Sequence, residues 1–229
     1  MVKLAAVAAG QPALAKKKTS RGVEKRAKIN QATLTIIKRD GMRGVRHRAV
    51  AKEAGVPLGA TTYHFENIED LIVSAFSQWR ENEALVSNPY ITQLHDFLEH
   101  EAQDMLDAQE DRIALAKEIY RFTVAYEIDQ IETNWDSRIV ELAFYHESLH
   151  SEKLRQEVVD YWQIELDSLI VSFTALHSPD PEADARISQS IFHQLEREAM
   201  IKGEDYDRAV LKATLHRHVC HFMGVEFTP

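Results

Sequence analysis

Residues 41–71 read GMRGVRHRAVAKEAGVPLGATTYHFENIEDL. Two short helix-like segments flank Gly55, and the second ends on Tyr63-His64-Phe65. Gly55 suits the left-handed residue between two helices, because it has no Cβ to clash with the carbonyl beside it. Pro57 suits the start of the next helix, where its fixed φ costs nothing and its missing N–H has no partner to lose. The spacing predicts a bracing helix over 47–54, with Val50 and Ala51 facing the core, and a second helix over 58–64. That is the form of a helix-turn-helix, whose second helix enters a DNA groove.

Working outward, a first helix is expected over 22–39. Ile29, Ala32, Ile36 and Ile37 share one face of it, and Lys25, Arg26 and Lys28 lie toward the other. Asn67 reads as an N-cap with Asp70 three residues on, opening a fourth helix that is expected to continue to about residue 86. Charge divides the chain at about the same place. Through Phe65 there are 14 Lys and Arg against 3 Asp and Glu, a net +11; the remainder has 13 against 33, a net −20. The pI of about 5.7 therefore hides a basic head on an acidic body. A basic face gains affinity for phosphates by releasing counterions, and an acidic body is repelled from the same polymer.

Composition bounds the rest. Gly and Pro together are 14 of 229 residues, so the chain is expected to be built of long helices. Cys220 is alone, which precludes an internal disulfide and fits a reducing cytoplasm. At the N-terminus, residues 4–9 are apolar and Ala13-Leu14-Ala15 has the form of a leader-cleavage site. Gly10-Gln11-Pro12 breaks that run and Lys16-Lys17-Lys18 follows it at once, so residues 1–20 read as a disordered basic arm. The body reads as helices over 91–108, 111–131, 135–150, 152–176, 182–202 and 206–223. Ser178-Pro179-Asp180-Pro181 is the clear loop, and Gly203 is a helix C-cap.

Ile29, Ala32, Leu34, Gly41, Val50-Ala51, Glu53-Ala54-Gly55-Val56, Gly59 and Tyr63-His64-Phe65 together resemble the N-terminal domain of tetracycline-repressor (TetR) family regulators. The resemblance covers about residues 25–71. It implies an all-α homodimer with a three-helix head at 21–66, and a larger helical body at 67–229 for ligand binding and dimerisation. It also implies a palindromic operator, a small-molecule effector, and head spacing that changes when the effector binds. Three positions depart from the family's pattern. Arg46 stands where Thr or Ser is common, Ile68 where Lys is common, and Thr61-Thr62 where Leu-Tyr is common.

On this reading the DNA-contacting residues are Arg46, His47 and Arg48 at the front of the second helix, with Gly59, Ala60, Thr61, Thr62, Tyr63 and His64 on the third. Arginines meet phosphate, threonines can bond base edges and meet a thymine methyl, and Gly59 lets backbone approach closely. Phe65 is expected to be the aromatic plug of the head.

In the body, Trp79, Tyr120, Arg121, Tyr126, Trp135, Tyr145 and Trp162 are candidates to line a largely apolar effector pocket. Arg121 is expected to reach the surface or pair with a carboxylate such as Glu118. Two stripes, Ile187, Ile191, Leu195 and Ala199 and then Leu211, Leu215, Val219 and Phe222, are candidates for a dimer surface. The alternative is that they pack on their own body. His146-Glu147-Ser148-Leu149-His150 matches H-E-x-x-H, the pattern that in zinc proteases supplies two ligands and a base. A metal-dependent hydrolase is therefore the rival reading, but no third ligand has a persuasive spacing. The sequence is best read as a cytoplasmic ligand-responsive repressor, not an enzyme, with no cofactor, no metal and no membrane partner.

Overall fold

The computed structural model describes residues 20–83, 88–100 and 102–229. The expected N-terminal arm lies, up to residue 19, outside the described residues, as do 84–86 at the expected end of the fourth helix. Among the described residues there are ten α-helices and no strand. They are α1 (Ser20–Asp40), α2 (His47–Glu53), α3 (Leu58–His64), α4 (Ile68–Asn82), α5 (Pro89–His100), α6 (Gln109–Glu132), α7 (Trp135–Ser148), α8 (Glu152–Ala175), α9 (Pro181–Lys202) and α10 (Arg208–Met223). No helix among them is long and apolar enough to cross a membrane.

The chain divides into two compact units. One runs up to Asn82 and takes in Ala143–Ile164; the other comprises Glu83–Leu142 and Glu165–Pro229. In the first, α1 lays Ile29, Leu34, Ile36 and Ile37 into a core completed by Val45, Val50, Ala51, Phe65, Leu71 and Ile72. Gly41 ends α1 at φ 70° and Gly55 makes the turn at φ 61°, both in the region that glycine enters without strain. Asn67 caps α4: its Oδ1 accepts from the Asp70 N–H at 2.8 Å. Polar ties fix α4 against α1, where Asn30 Nδ2 donates to the Ser74 carbonyl at 3.1 Å and Arg26 donates to the Ser74 hydroxyl at 3.0 Å. Farther along α4, Phe76 and Trp79 pack edge-on against Phe144 and Tyr161, an aromatic core within the same unit.

In the second unit α6 is central. Leu115, Ala116 and Ile119 meet Leu98 of α5, Val219 and Met223 of α10, and Val225 beyond it. Leu195 of α9 closes with Leu211 and Leu215 of α10. The helix expected over 91–108 stops at His100. The Ala102 N–H turns back to the Phe97 carbonyl, and the chain folds inward so that Ala102, Met105 and Leu106 enter the core. Burial of those side chains overrides a helical propensity that would have continued. Asp180 caps α9 through the Ala183 N–H, with Pro181 opening the helix, and Gly203 closes it at φ 57°.

Candidate functional sites: the head surface and the body cavity

The turn between α2 and α3 presents one short helix with two unlike faces. Thr61 is wholly buried and its hydroxyl donates to the Leu58 carbonyl at 2.8 Å. Phe65, just past the helix, is buried beneath the Arg26 guanidinium, which lies 4.7 Å from the ring centre. These two residues lock α3 onto the head. The other face carries Gly59 and Thr62, both exposed, and Tyr63, whose side chain is 85% exposed. A Cβ built on Gly59 meets nothing within 4 Å, so the backbone there is open to a close-approaching partner. Ala60 and His64 are half-buried, and the His64 ring stands edge-on to Tyr63 at 5.2 Å.

Arg46 occupies the N-cap position of α2 in extended conformation and makes no side-chain cap, so the first N–H groups of that helix lack a capping oxygen. Arg46 and Arg48 are exposed; His47 is half-buried, with its Nδ1 enclosed and without a hydrogen-bond partner. Exposed Lys25, Lys28, Arg43 and Lys52 add to this cationic head. Thr61 is thus a correction to the expected contact set. Its hydroxyl is used inside the head, and only the other members of the set reach solvent.

The second unit holds a partly open cavity of about 110 Å³, room for several waters or one small molecule. Leu94, Leu98, Ile119, Phe122, Leu169, Phe173, Phe192 and Phe222 give it apolar walls. Ser168, Ser172, Ser188, Arg138, Glu165, His193 and Glu196 bring polar groups to it. Two of the serines are engaged by histidines: Ser188 Oγ and His218 Nε2 lie 2.7 Å apart, and Ser172 Oγ and His95 Nε2 3.1 Å apart. Burial holds both histidines below their ordinary pKa, His218 down to about 4, so both are neutral at physiological pH.

The charged wall is built differently. Arg138 Nη1 lies 2.8 Å from Glu141 and 3.9 Å from Glu196, and its Nη2 lies 3.6 Å from Glu83. His193 Nε2 lies 3.5 Å from Glu165. Burial lowers the His193 pKa, but the Glu165 pairing and neighbouring carboxylates outweigh it, and the net shift is upward. Burial pushes the Glu196 carboxyl upward, against the pull of Arg138 and His193.

Of the seven aromatic and basic residues expected to line a pocket, Tyr126 alone lines this one. Trp79 is buried in the aromatic core of the first unit, and Tyr145 and Trp162 of that unit pack edge-on against each other at 5.1 Å. Tyr120 sits against His216 and Phe227. Trp135, half-buried at the start of α7, lies outside the lining. Arg121 is exposed and pairs with Glu118 at 2.8 Å, bordering a shallow surface groove. Aromatic residues at helical spacing make core more often than they make sites, and that competing role took most of them. What the sequence reading missed is the charged wall, since Glu and Arg on helices ordinarily mark a solvated face.

The proposed dimer stripes also divide. Leu195, Leu211, Leu215 and Val219 are buried within their own unit, and Phe222 packs on Phe173 and lines the cavity. These five are corrected from dimer surface to intramolecular packing. Ile191 is half-buried, and Ile187 remains 49% exposed. In the H-E-x-x-H stretch, α7 ends at Ser148, so His150 sits in a turn, its ring 5.7 Å from that of His146. No His, Cys, Asp or Glu among the described residues completes a three-ligand cluster with them.

Comparison with solved structures places the fold. A member of the TetR family from Streptomyces coelicolor A3 superposes with a TM-score of 0.57 at 24% identity, over 85% of this chain and 98% of that one. The multidrug binding protein EbrR complexed with ethidium gives 0.59 at 24%, over 85% and 98%. A transcriptional regulator from Rhodococcus sp. Rha1 gives 0.63 at 16%, over 89% and 99%. No protein-family model and no curated protein matches the chain. The chain therefore has the all-helical fold of these regulators.

Proposed function

We propose that the chain is a TetR-family, ligand-responsive transcriptional regulator that binds a palindromic DNA operator as a homodimer. It acts as a repressor, released when a small apolar or amphipathic effector enters the cavity, and it is not an enzyme. The observation that carries this reading is the outward face of α3. A large aromatic, Tyr63, stands in solvent beside Thr62 on a helix whose opposite face is locked by Thr61 and Phe65. Tyr63 stands beside Thr62, the open backbone of Gly59 and the exposed Arg46 and Arg48, so aromatic, hydrogen-bonding and cationic groups are offered together on one head. The cationic flank of Arg46 and Arg48 supplies phosphate contacts, and Thr62 and Tyr63 meet the groove.

The effector half of the reading rests on this partly open cavity, and gains support from EbrR, a neighbour in fold that was solved with ethidium bound. Helix α8 is the candidate lever. Its N-terminal end is tied to α4: Asp70 pairs with Lys153 at 2.9 Å, and Glu69 accepts at 2.6 Å from the hydroxyl of Ser151, the residue just before the helix. Its second half contributes Glu165, Ser168 and Ser172 to the cavity wall. An effector that displaces α8 would move α4 and change the spacing of two heads.

The test is genomic selection of duplex DNA by the purified protein, followed by footprinting and a salt titration. Protection of a two-fold symmetric site with log affinity falling steeply against log salt is the expected result. Thr62→Ala/Tyr63→Ala should abolish the footprint while leaving the melting temperature in place. Indifference to every duplex at low salt would overturn the reading.

A further inference from the structure

The H-E-x-x-H stretch lies away from the outward face of α3 and outside the cavity lining, and it brings two imidazoles together. His146 is in the last turn of α7, and His150 stands two residues past the end of that helix. Their ring centres are 5.7 Å apart, both side chains are exposed, and neither is spent in a hydrogen bond or ion pair among the described residues. Two imidazoles on one metal ion, each bonded at about 2.0–2.1 Å, stand with ring centres roughly 5 Å apart, so this pair closes on an ion by a side-chain movement of about 1 Å or less. The backbone beneath the rings is held. The His150 N–H donates to the Glu147 carbonyl at 2.9 Å and the Leu149 N–H to the His146 carbonyl at 3.3 Å. Arg155 covers the end of α7, donating to the Ser148 and Leu149 carbonyls at 3.3 Å each. Ligands that start near their bound positions lose little freedom on binding.

We infer that His146 and His150 form a two-imidazole chelate for one divalent transition-metal ion on the turn between α7 and α8. Ligand chemistry selects the metal. Imidazole suits Cu2+, Ni2+ and Zn2+, with Cu2+ first in the affinity order, whereas Mg2+ and Ca2+ seek oxygen ligands. A zinc protease centre needs a third protein ligand; a chelate needs two, with water in the remaining positions. His150 is followed directly by Ser151, whose hydroxyl ties this turn to Glu69 of α4 at 2.6 Å. The bound ion therefore pins the stretch that leads from α7 to that tie, and it does so independently of whatever enters the cavity.

The test titrates Cu2+, Zn2+ and Mg2+ into the metal-free full-length protein by calorimetry and records the electron paramagnetic resonance spectrum of the copper form. The tightest-bound Cu2+ should show coupling to two imidazole nitrogens, Zn2+ should compete for the same site, and Mg2+ should not. His146→Ala and His150→Ala should each weaken Cu2+ at least tenfold and reduce the coupling to one nitrogen. His221→Ala, at an exposed histidine of α10, should change neither. Melting curves without metal show that each variant is folded, as substitutions at exposed side chains should be. Cu2+ that binds the double variant His146→Ala/His150→Ala as tightly as the native protein is an adventitious ion held elsewhere, and overturns the inference. Loss of a coupled nitrogen in His221→Ala overturns it as well, and so does a native protein that binds no Cu2+ or binds Mg2+ equally well.

Discussion

Thr61 and Tyr63 are two residues apart on α3 and face opposite ways, one wholly buried and the other in solvent. Their substitutions should therefore separate stability from binding. Thr61→Val removes a buried hydroxyl that bonds the Leu58 carbonyl and should cost about 1 kcal/mol of stability, read from denaturant melts. Tyr63→Ala should leave those melts unchanged and lose operator affinity by at least tenfold in a mobility-shift titration. The reverse assignment would mean that α3 is turned the other way. Glu127 gives a second residue-level prediction. Burial, then repulsion from Glu196, pushes its carboxyl well above the ordinary 4.5, with Arg138 opposing. The folded state then holds a proton that the unfolded state has released, so this group's stabilising contribution is complete below pH 4.5 and is lost as pH rises toward the folded value. Glu127→Gln removes the group and should raise the melting temperature at pH 8, with the gain shrinking as pH approaches 4.5. A gain that is largest at low pH would contradict the burial of an unpartnered carboxyl.

At the scale of elements, α3 and the N-cap of α4 were legible because local rules govern them. Pro57 starts α3, and Asn67 bonds the Asp70 N–H as the cap spacing requires. Asn67→Ala should accordingly cost about 1 kcal/mol, a loss of roughly 2–4 °C in melting temperature by calorimetry. The end of α5 was not legible. Nothing in the residues around His100 breaks a helix; the chain leaves the helical path because Ala102, Met105 and Leu106 bury themselves against α6 and α10, a tertiary gain that no local pattern carries. The cavity was illegible for a related reason. Tyr126 could be guessed as an aromatic on a central helix, but Arg138, Glu165 and Glu196 read as ordinary surface charges until α7, α8 and α9 are set around them. Their burial follows from which helices pack together, and helical periodicity says only which residues share a face.

For the whole molecule, the proposed palindromic operator requires two heads held at its half-site spacing. Half-sites of a palindrome lie about 34 Å apart, so binding both needs a two-fold assembly of the chain. The C-terminal stripe cannot supply it, since Leu211, Leu215 and Val219 are consumed by their own unit. The outer face of α9 is the better candidate. Ile187 is 49% exposed and Ile201 78% exposed, and fourteen residues apart they fall on one side of the helix, with half-buried Ile191 between them. A face of that kind laid against its own copy would begin an interface that needs roughly 800 Å² from each partner to be stable. Ile187→Glu and Ile201→Glu each put a charge into that apolar face, about 21 Å apart along the helix. Each should shift sedimentation from dimer to monomer, and the double variant should do so fully. Loss of the dimer should weaken operator binding far more than binding to a single half-site, because only the first depends on two linked heads. A double variant that still sediments as a dimer would move the interface off α9, and a native protein that sediments as a monomer at micromolar concentration would remove the two-headed grip altogether.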